Sequence, residues 1–194
     1  MSATRLLVLG VVRMYGQAHG YQVRRELLSW AADSWANVAP GSIYHALKKL
    51  ARDGLLTEVA VEEGAAGPDR TVYRLAEDGE TEFQLLLTRA LSDPDRGQES
   101  LSAAITFLTT LPRRQAIELL TYRVTRLEAL LATARHGVAT NASMGKPDHV
   151  RALFRMWEFN GDAAIRWTRS LIDQLTDGEF VMADDSPDHF GHRP

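Results

Sequence analysis

Between Pro40 and Asp53 the sequence reads Pro-Gly-Ser-Ile-Tyr-His-Ala-Leu-Lys-Lys-Leu-Ala-Arg-Asp. At about 100° per residue in a helix, Ile43, Ala46, Leu47 and Leu50 share one face. The opposite face holds Gly41, His45, Lys48 and Arg52, flanked by Ser42, Tyr44 and Lys49. Side chains of these types donate hydrogen bonds to phosphate oxygens and to base edges in a DNA major groove. Lys48, Lys49 and Arg52 against Asp53 make the segment locally basic, and Arg70 and Arg74 follow in the next stretch. Taken alone, such a face is more often the solvated side of an amphipathic helix. Its meaning rests on the elements around it.

Those elements fall into a recognisable order. An almost unbroken apolar run covers Thr4 to Gln17 and breaks at Gly16 and Gly20. From Tyr21 to Ala32, Val23, Leu27, Leu28 and Ala31 recur at helical spacing. Pro40 suits the first turn of the basic helix, where its missing N–H has no partner to lose, and Gly54 ends it. The period then changes to two: Leu55, Thr57, Val59 and Val61 alternate with Leu56, Glu58, Ala60 and Glu62, as in a half-buried strand. Glu63 to Asp69 contains Gly64, Gly67 and Pro68, a hairpin tip, and Arg70 to Leu75 reads as the returning strand. Three helices followed by a two-stranded hairpin predict a winged helix-turn-helix.

The remainder is helical in pattern, so the fold class expected is mainly α. Phe83, Leu86, Leu87 and Ala90 predict a helix reaching about Leu91, and Ser92 to Gln98 a linker. Ile117, Leu120, Val124, Leu127, Leu131 and Ala134 follow at spacings of 3, 4, 3, 4 and 3, a heptad seam that requires a partner helix. Another long helix, ending near Leu175, carries Phe154, Trp157, Ile165 and Leu171 on one broad face. These features divide the chain into a DNA-binding domain over 1–91, an all-helical dimerisation and effector domain over 92–178, and a disordered acidic tail over 179–194. In the helical domain, Tyr122, Phe154, Trp157 and Trp167 with Asn160 form the candidate set for an apolar effector pocket between the domains or at the dimer seam. Packing into a core or dimer contact is the commoner fate of such aromatics.

Composition narrows the alternatives. The 194 residues are 45% hydrophobic and 24% charged, as in an ordinary globular protein. There is no cysteine, which removes disulfides, thiolate zinc sites and thiol nucleophiles. The longest apolar run, Leu6 to Val12, is far short of the roughly 20 residues of a membrane span and lacks a signal-peptide cleavage site, which points to a cytoplasmic protein. The glycines Gly10, Gly16 and Gly20 do not make GxGxxG, and GxxxxGK[ST], GxSxG and HExxH are absent. His189 and His192 are better read as a solvated pair than as metal ligands, and Glu62-Glu63 and Asp184-Asp185 as exposed carboxylates. No enzyme activity, metal or cofactor is expected. The net charge of −3 argues against nucleic acid only globally: residues 1–80 hold nine basic and ten acidic side chains and are not basic as a whole, but one face, that of Lys48, Lys49 and Arg52, is.

Four segments carry a closer likeness. His19-Gly20-Tyr21, Pro40 to Leu47, Asp53-Gly54-Leu55, and Arg70 to Leu75 followed by Asp78-Gly79 resemble, in order and spacing, the PadR family of bacterial transcriptional regulators. The helical remainder is similar to the family's longer subgroup, whose C-terminal helices build a homodimer. The resemblance implies that the Ser42–Arg52 helix enters the major groove, that the hairpin around Gly64–Arg70 is the wing, and that Tyr21 sits near the DNA backbone. The expected contacts are Tyr21, Ser42, Tyr44, His45, Lys48, Lys49, Arg52 and Arg70. Many relatives carry proline after the motif tyrosine, where this chain has His45, so its base preference is its own. The partners expected are double-stranded DNA, a second copy of the chain, and an aromatic or drug-like effector, the whole acting as a repressor on a pseudo-palindromic operator. The competing reading is a dimeric helical module whose winged helix binds protein.

Overall fold

The computed structural model describes residues 3–36, 38–62, 70–141 and 143–187. They form two compact units, one of residues 1–90 with 96–107 and one of 91–95 with 108–194. The first contains helix α1 (Ala3–Tyr15), strand β1 (Gln17–His19), helices α2 (Gly20–Ser29), α3 (Ala32–Trp35) and α4 (Pro40–Arg52), and strands β2 (Leu56–Glu62) and β3 (Arg70–Leu75). Helix α5 (Glu77–Ser92), a 3-10 turn at Pro94–Arg96 and helix α6 (Gln98–Ile105) follow.

The continuous apolar run makes α1 the central rod of this unit: Leu6 to Val12 are all buried, as expected for a helix apolar on every side. Helix α4 begins at Pro40 after an extended Ala39 and ends in a Schellman turn. Gly54 adopts φ +76°, its N–H donates to Ala51 O (3.1 Å), and the Leu55 N–H donates to Leu50 O (2.9 Å). Ile43, Leu47 and Leu50 are buried, so the helical reading of that stretch holds in phase as well as in type.

Three features differ from the sequence reading. The hairpin gains a third strand, β1, giving the antiparallel order β1-β3-β2 with Ala18 opposite Tyr73. Three residues between two glycines carry no strand signal of their own; they pair because β3 offers an open edge. Strand β2 bulges between Glu58 and Ala60, so its alternation slips by one residue. The expected helix from Tyr21 to Ala32 breaks earlier: Ala31 takes φ +53°, α3 starts afresh, and Trp35 Nε1 donates to Trp30 O (2.8 Å).

The stretch read as a linker leads into α6, and Phe107 fills the centre of the first unit. Its ring meets Phe83 and Trp30 edge-on, with centroids 5.6 and 5.8 Å apart. A Cβ on Gly10 would lie 2.2 Å from this ring, so only glycine lets α1 approach it. A similar close approach sets Gly79, where a Cβ would lie 2.0 Å from the Leu55 carbonyl oxygen.

The second unit is built on the helices α7 (Arg113–Thr140) and α8 (Asp148–Thr176). Val124, Leu127 and Leu131 of the heptad seam pack with Ile165 of α8, and Gly137 admits the Phe154 ring. The partner the seam requires is therefore α8 of the same chain and not a second protomer. Arg135 pairs with Glu158 and Asp162 (both 3.1 Å), and Arg169 with Glu128 (2.6 Å), across the exposed flank.

The chain after α8 also departs from expectation. Residues 179–187, read as the start of a disordered tail, fold back onto the start of α7, with Met182 fully buried. Arg113 organises this return: its Nη1 donates to Leu175 O (2.6 Å), its Nη2 to Phe180 O (2.9 Å), and it pairs with Asp185. Its backbone N–H donates to Asp184 (3.0 Å). The two adjacent carboxylates, which looked like a solvated run, are both spoken for. Residues 188–194 lie outside the described residues.

Two outcomes test this architecture. Gly79→Ala should lower stability to urea by about 1–3 kcal/mol, because a backbone carbonyl cannot give way as a side chain does. Arg113→Met should raise hydrogen exchange at Met182 and Ala183 while leaving α4 protected. The Met182 N–H, followed by Arg113, holds the Asp185 carboxyl below its ordinary value. A depressed carboxylate contributes above its unfolded pKa, so the fold-back should persist at neutral pH. It should be lost only as pH falls below the ordinary carboxylate range.

Candidate nucleic-acid interface

Burial of Ile43, Leu47 and Leu50 fixes the rotation of α4 and turns Tyr44, His45, Lys48, Lys49 and Arg52 to the surface. Ser42, half-buried, donates its hydroxyl to Ala39 O (2.6 Å), which braces the first turn. No acidic residue lies within α4, and its last turn carries Lys49 and Arg52. Asp53, just beyond, lies 3.8 Å from Arg5. The outward face is thus a compact set of donors with three fixed positive charges.

The His-Gly-Tyr triplet explains itself in three dimensions. His19 caps α2: its Nδ1 accepts from the Gln22 N–H (3.1 Å), satisfying one of the helix's unpaired donors. Gly20 leaves room for the Tyr44 ring, whose Cε1 would lie 2.6 Å from a Cβ there. Tyr21 stands beyond it, 53% exposed, with its ring 6.3 Å from that of His19. Tyr44, 43% exposed, is therefore seated on the start of α2 by its flank while the rest of its ring faces solvent. Tyr44 of α4 packs on Gly20 at the start of α2, and Tyr21 is the next residue of that helix. Gly20 and His19 were missed as site-builders, although the glycine was itself the signal.

Arg70 is exposed at the first position of β3, the base of the expected wing, and residues 63–69 of its tip lie outside the described residues. Arg74 is also exposed and stands in register with Gln17 of β1 and Thr57 of β2, a polar row across the sheet.

The expected effector residues do not converge in the same way. Phe154 lies over Gly137 and meets Trp157 edge-on at 5.4 Å, with exposed Asn160 one turn further on. Trp167 is exposed about 20 Å along α8 from Phe154 at 1.5 Å per residue. Tyr122 is exposed on α7, about 22 Å along that helix from Gly137. Within one chain, these side chains make one small aromatic cluster and two separate exposed rings. Among the described residues no group of metal-ligating side chains is found, and no helix is long and apolar enough to cross a membrane.

The comparisons with known proteins add the following. No curated protein sequence matches the chain. Among solved structures, it is similar to Bacillus subtilis PadR in complex with operator DNA, at 21% identity over 88% of this chain and 98% of that one, with a TM-score of 0.41. It is also similar to smu.1604c from Streptococcus mutans UA159, at 18% identity over 92% and 99% of the two chains and a TM-score of 0.40. Bacillus subtilis PadR in complex with p-coumaric acid is 19% identical over 90% and 99%, with a TM-score of 0.38. The family model described as "Transcriptional regulator PadR-like family" matches residues 8–85, the span from α1 through α5 that holds the capped α2, the basic face of α4 and the wing strands. Over that span this chain is similar to the PadR-like family of transcriptional regulators.

Proposed function

We propose that the chain acts in the cytoplasm as a homodimeric repressor, released from a pseudo-palindromic operator by a small-molecule effector. The observation that carries the DNA-binding part is the outward face of α4. There His45, Lys48, Lys49 and Arg52 stand exposed on a helix whose other side is locked into the core. In this reading Lys48, Lys49, Arg52 and Arg70 neutralise phosphates, while Ser42, Tyr44 and His45 read base edges. Tyr21, exposed at the start of α2, donates to the backbone as that helix crosses it.

Dimerisation is supported by what α8 leaves uncovered. With the α7 seam closed by α8, a second seam remains on α8: Leu153, Met156, Asn160, Ala163, Trp167 and Ser170, spaced 3, 4, 3, 4 and 3 and all exposed. A heptad seam with one central asparagine suits a helix–helix contact whose register the amide selects. Asn160, first considered for a ligand, is better placed for that role. An aromatic or drug-like effector is supported by the Phe154–Trp157 cluster beside the same seam, where a second copy would complete its walls.

The test is binding to a duplex carrying two half-sites about 34 Å apart, titrated across a salt series beside a scrambled duplex. For roughly 6–8 neutralised phosphates per dimer, log affinity should fall against log salt with a slope of about −5 to −7. Lys48→Ala/Arg52→Ala should weaken binding and flatten the slope by up to about 3–4, while His45→Ala should change sequence preference with little change of slope. Equal, weak binding to both duplexes, indifferent to these substitutions, would instead favour the protein-binding module.

A further inference from the structure

Arg5 stands third in α1, and Asp53 caps the C-terminal end of α4. Each charge opposes the dipole of its own helix, since a cation is disfavoured at a helix start and a carboxylate at a helix end. Local helix preference explains neither placement. They answer each other instead: Arg5 Nη1 lies 3.8 Å from Asp53 Oδ2. On its other side, Arg5 Nε is buried and lies 2.9 Å from Glu82 Oε1 of α5, close enough for an ion pair though not aligned for a hydrogen bond. One cation thus sits between two carboxylates, with Glu82 the more buried and Asp53 the more exposed. Asp53 follows Arg52 directly and stands one turn beyond Lys49, so it borders two of the three positive charges of the donor face. Among the described residues no carboxylate is paired with Lys48, Lys49 or Arg52, and Arg5 is the one cation paired with Asp53.

We propose that Arg5 is a positioning residue for DNA binding: without touching DNA, it holds and neutralises Asp53, so that the end of α4 presents positive charge alone. As a tether, a part-exposed pair at 3.8 Å contributes little. Its effect on charge is more direct, because an uncovered carboxylate there would repel the phosphates that Lys49 and Arg52 are placed to meet. Glu82 competes with Asp53 for the same guanidinium, so α5 sets how completely Asp53 is covered. The inference rests on the DNA-binding reading of α4 and adds to it a residue outside the interface.

The test is binding of the full chain to a mixed-sequence DNA duplex at low salt, since a charge effect on phosphates needs no operator. Arg5→Met should weaken binding roughly two- to fivefold for each bound copy, and Arg5→Lys by much less because the charge remains. Asp53→Asn should change little by itself, yet it should restore the affinity of Arg5→Met in the double variant. Glu82→Gln should bind at least as tightly as the wild type, because Arg5 is then left wholly to Asp53. A structural tether predicts the opposite: losing either end weakens binding, and Asp53→Asn repairs nothing. Arg5→Gln gives the same comparison should the Met variant fold poorly, with the melting temperature of each variant as the check. All these differences should shrink as salt rises. Arg5 variants that bind as the wild type does, or a loss that Asp53→Asn does not restore, would overturn the inference alone. A chain that binds no duplex, or binds regardless of Lys48→Ala/Arg52→Ala, overturns the DNA-binding reading and this inference with it.

Discussion

The packing of one side of α4 against the first unit's core is the constraint on which the interface depends. Ile43, Leu47 and Leu50 are each buried, and every such side chain contributes about 1.5–3 kcal/mol as an upper estimate. Rolling α4 by a quarter turn would expose them and bury Lys48 or Arg52 instead, at the cost of desolvating a charge. The orientation of the donor face is therefore set by hydrophobic burial on the opposite side. The charged residues take no part in choosing where they point.

Around that helix, close approach is managed by small residues at a few positions. Gly10 admits the Phe107 ring, Gly79 the Leu55 carbonyl, and Gly20 the Tyr44 ring. Each replaces a side chain by a neighbour from a distant part of the chain, so each is a tertiary contact written as a local absence. The Gly20 case reaches the site directly, because it decides that Tyr44 leans on the start of α2.

Electrostatics plays two different parts in the second unit. Arg135 and Arg169 bridge α7 and α8 on the exposed flank, where pairs of this kind contribute little and are screened by salt. Arg113 is more structural, since its guanidinium collects two carbonyls and a carboxylate and fastens the chain beyond α8. Arg123 is the contrast: it has the burial of a core residue and the donors of a surface one.

Residue order alone determined the helical phase of α4, its stop at Gly54, the strand pair, and the outward placement of His45, Lys48, Lys49 and Arg52. All of these follow from periodicity and local backbone preference, which act within a few residues. The third strand, the return of Phe107, the intramolecular partner of the α7 seam and the anchoring of Asp184 and Asp185 were illegible in the sequence. Gln17–His19 pairs only because β3 has an open edge, and a heptad seam states that it needs a partner without saying whose. The carboxylates looked solvated because their arginine lies some seventy residues earlier in the chain. What only the tertiary structure decided is which distant segment fills each demand, because burial and ion pairing reward proximity in space, whereas propensity reports only on neighbours in sequence.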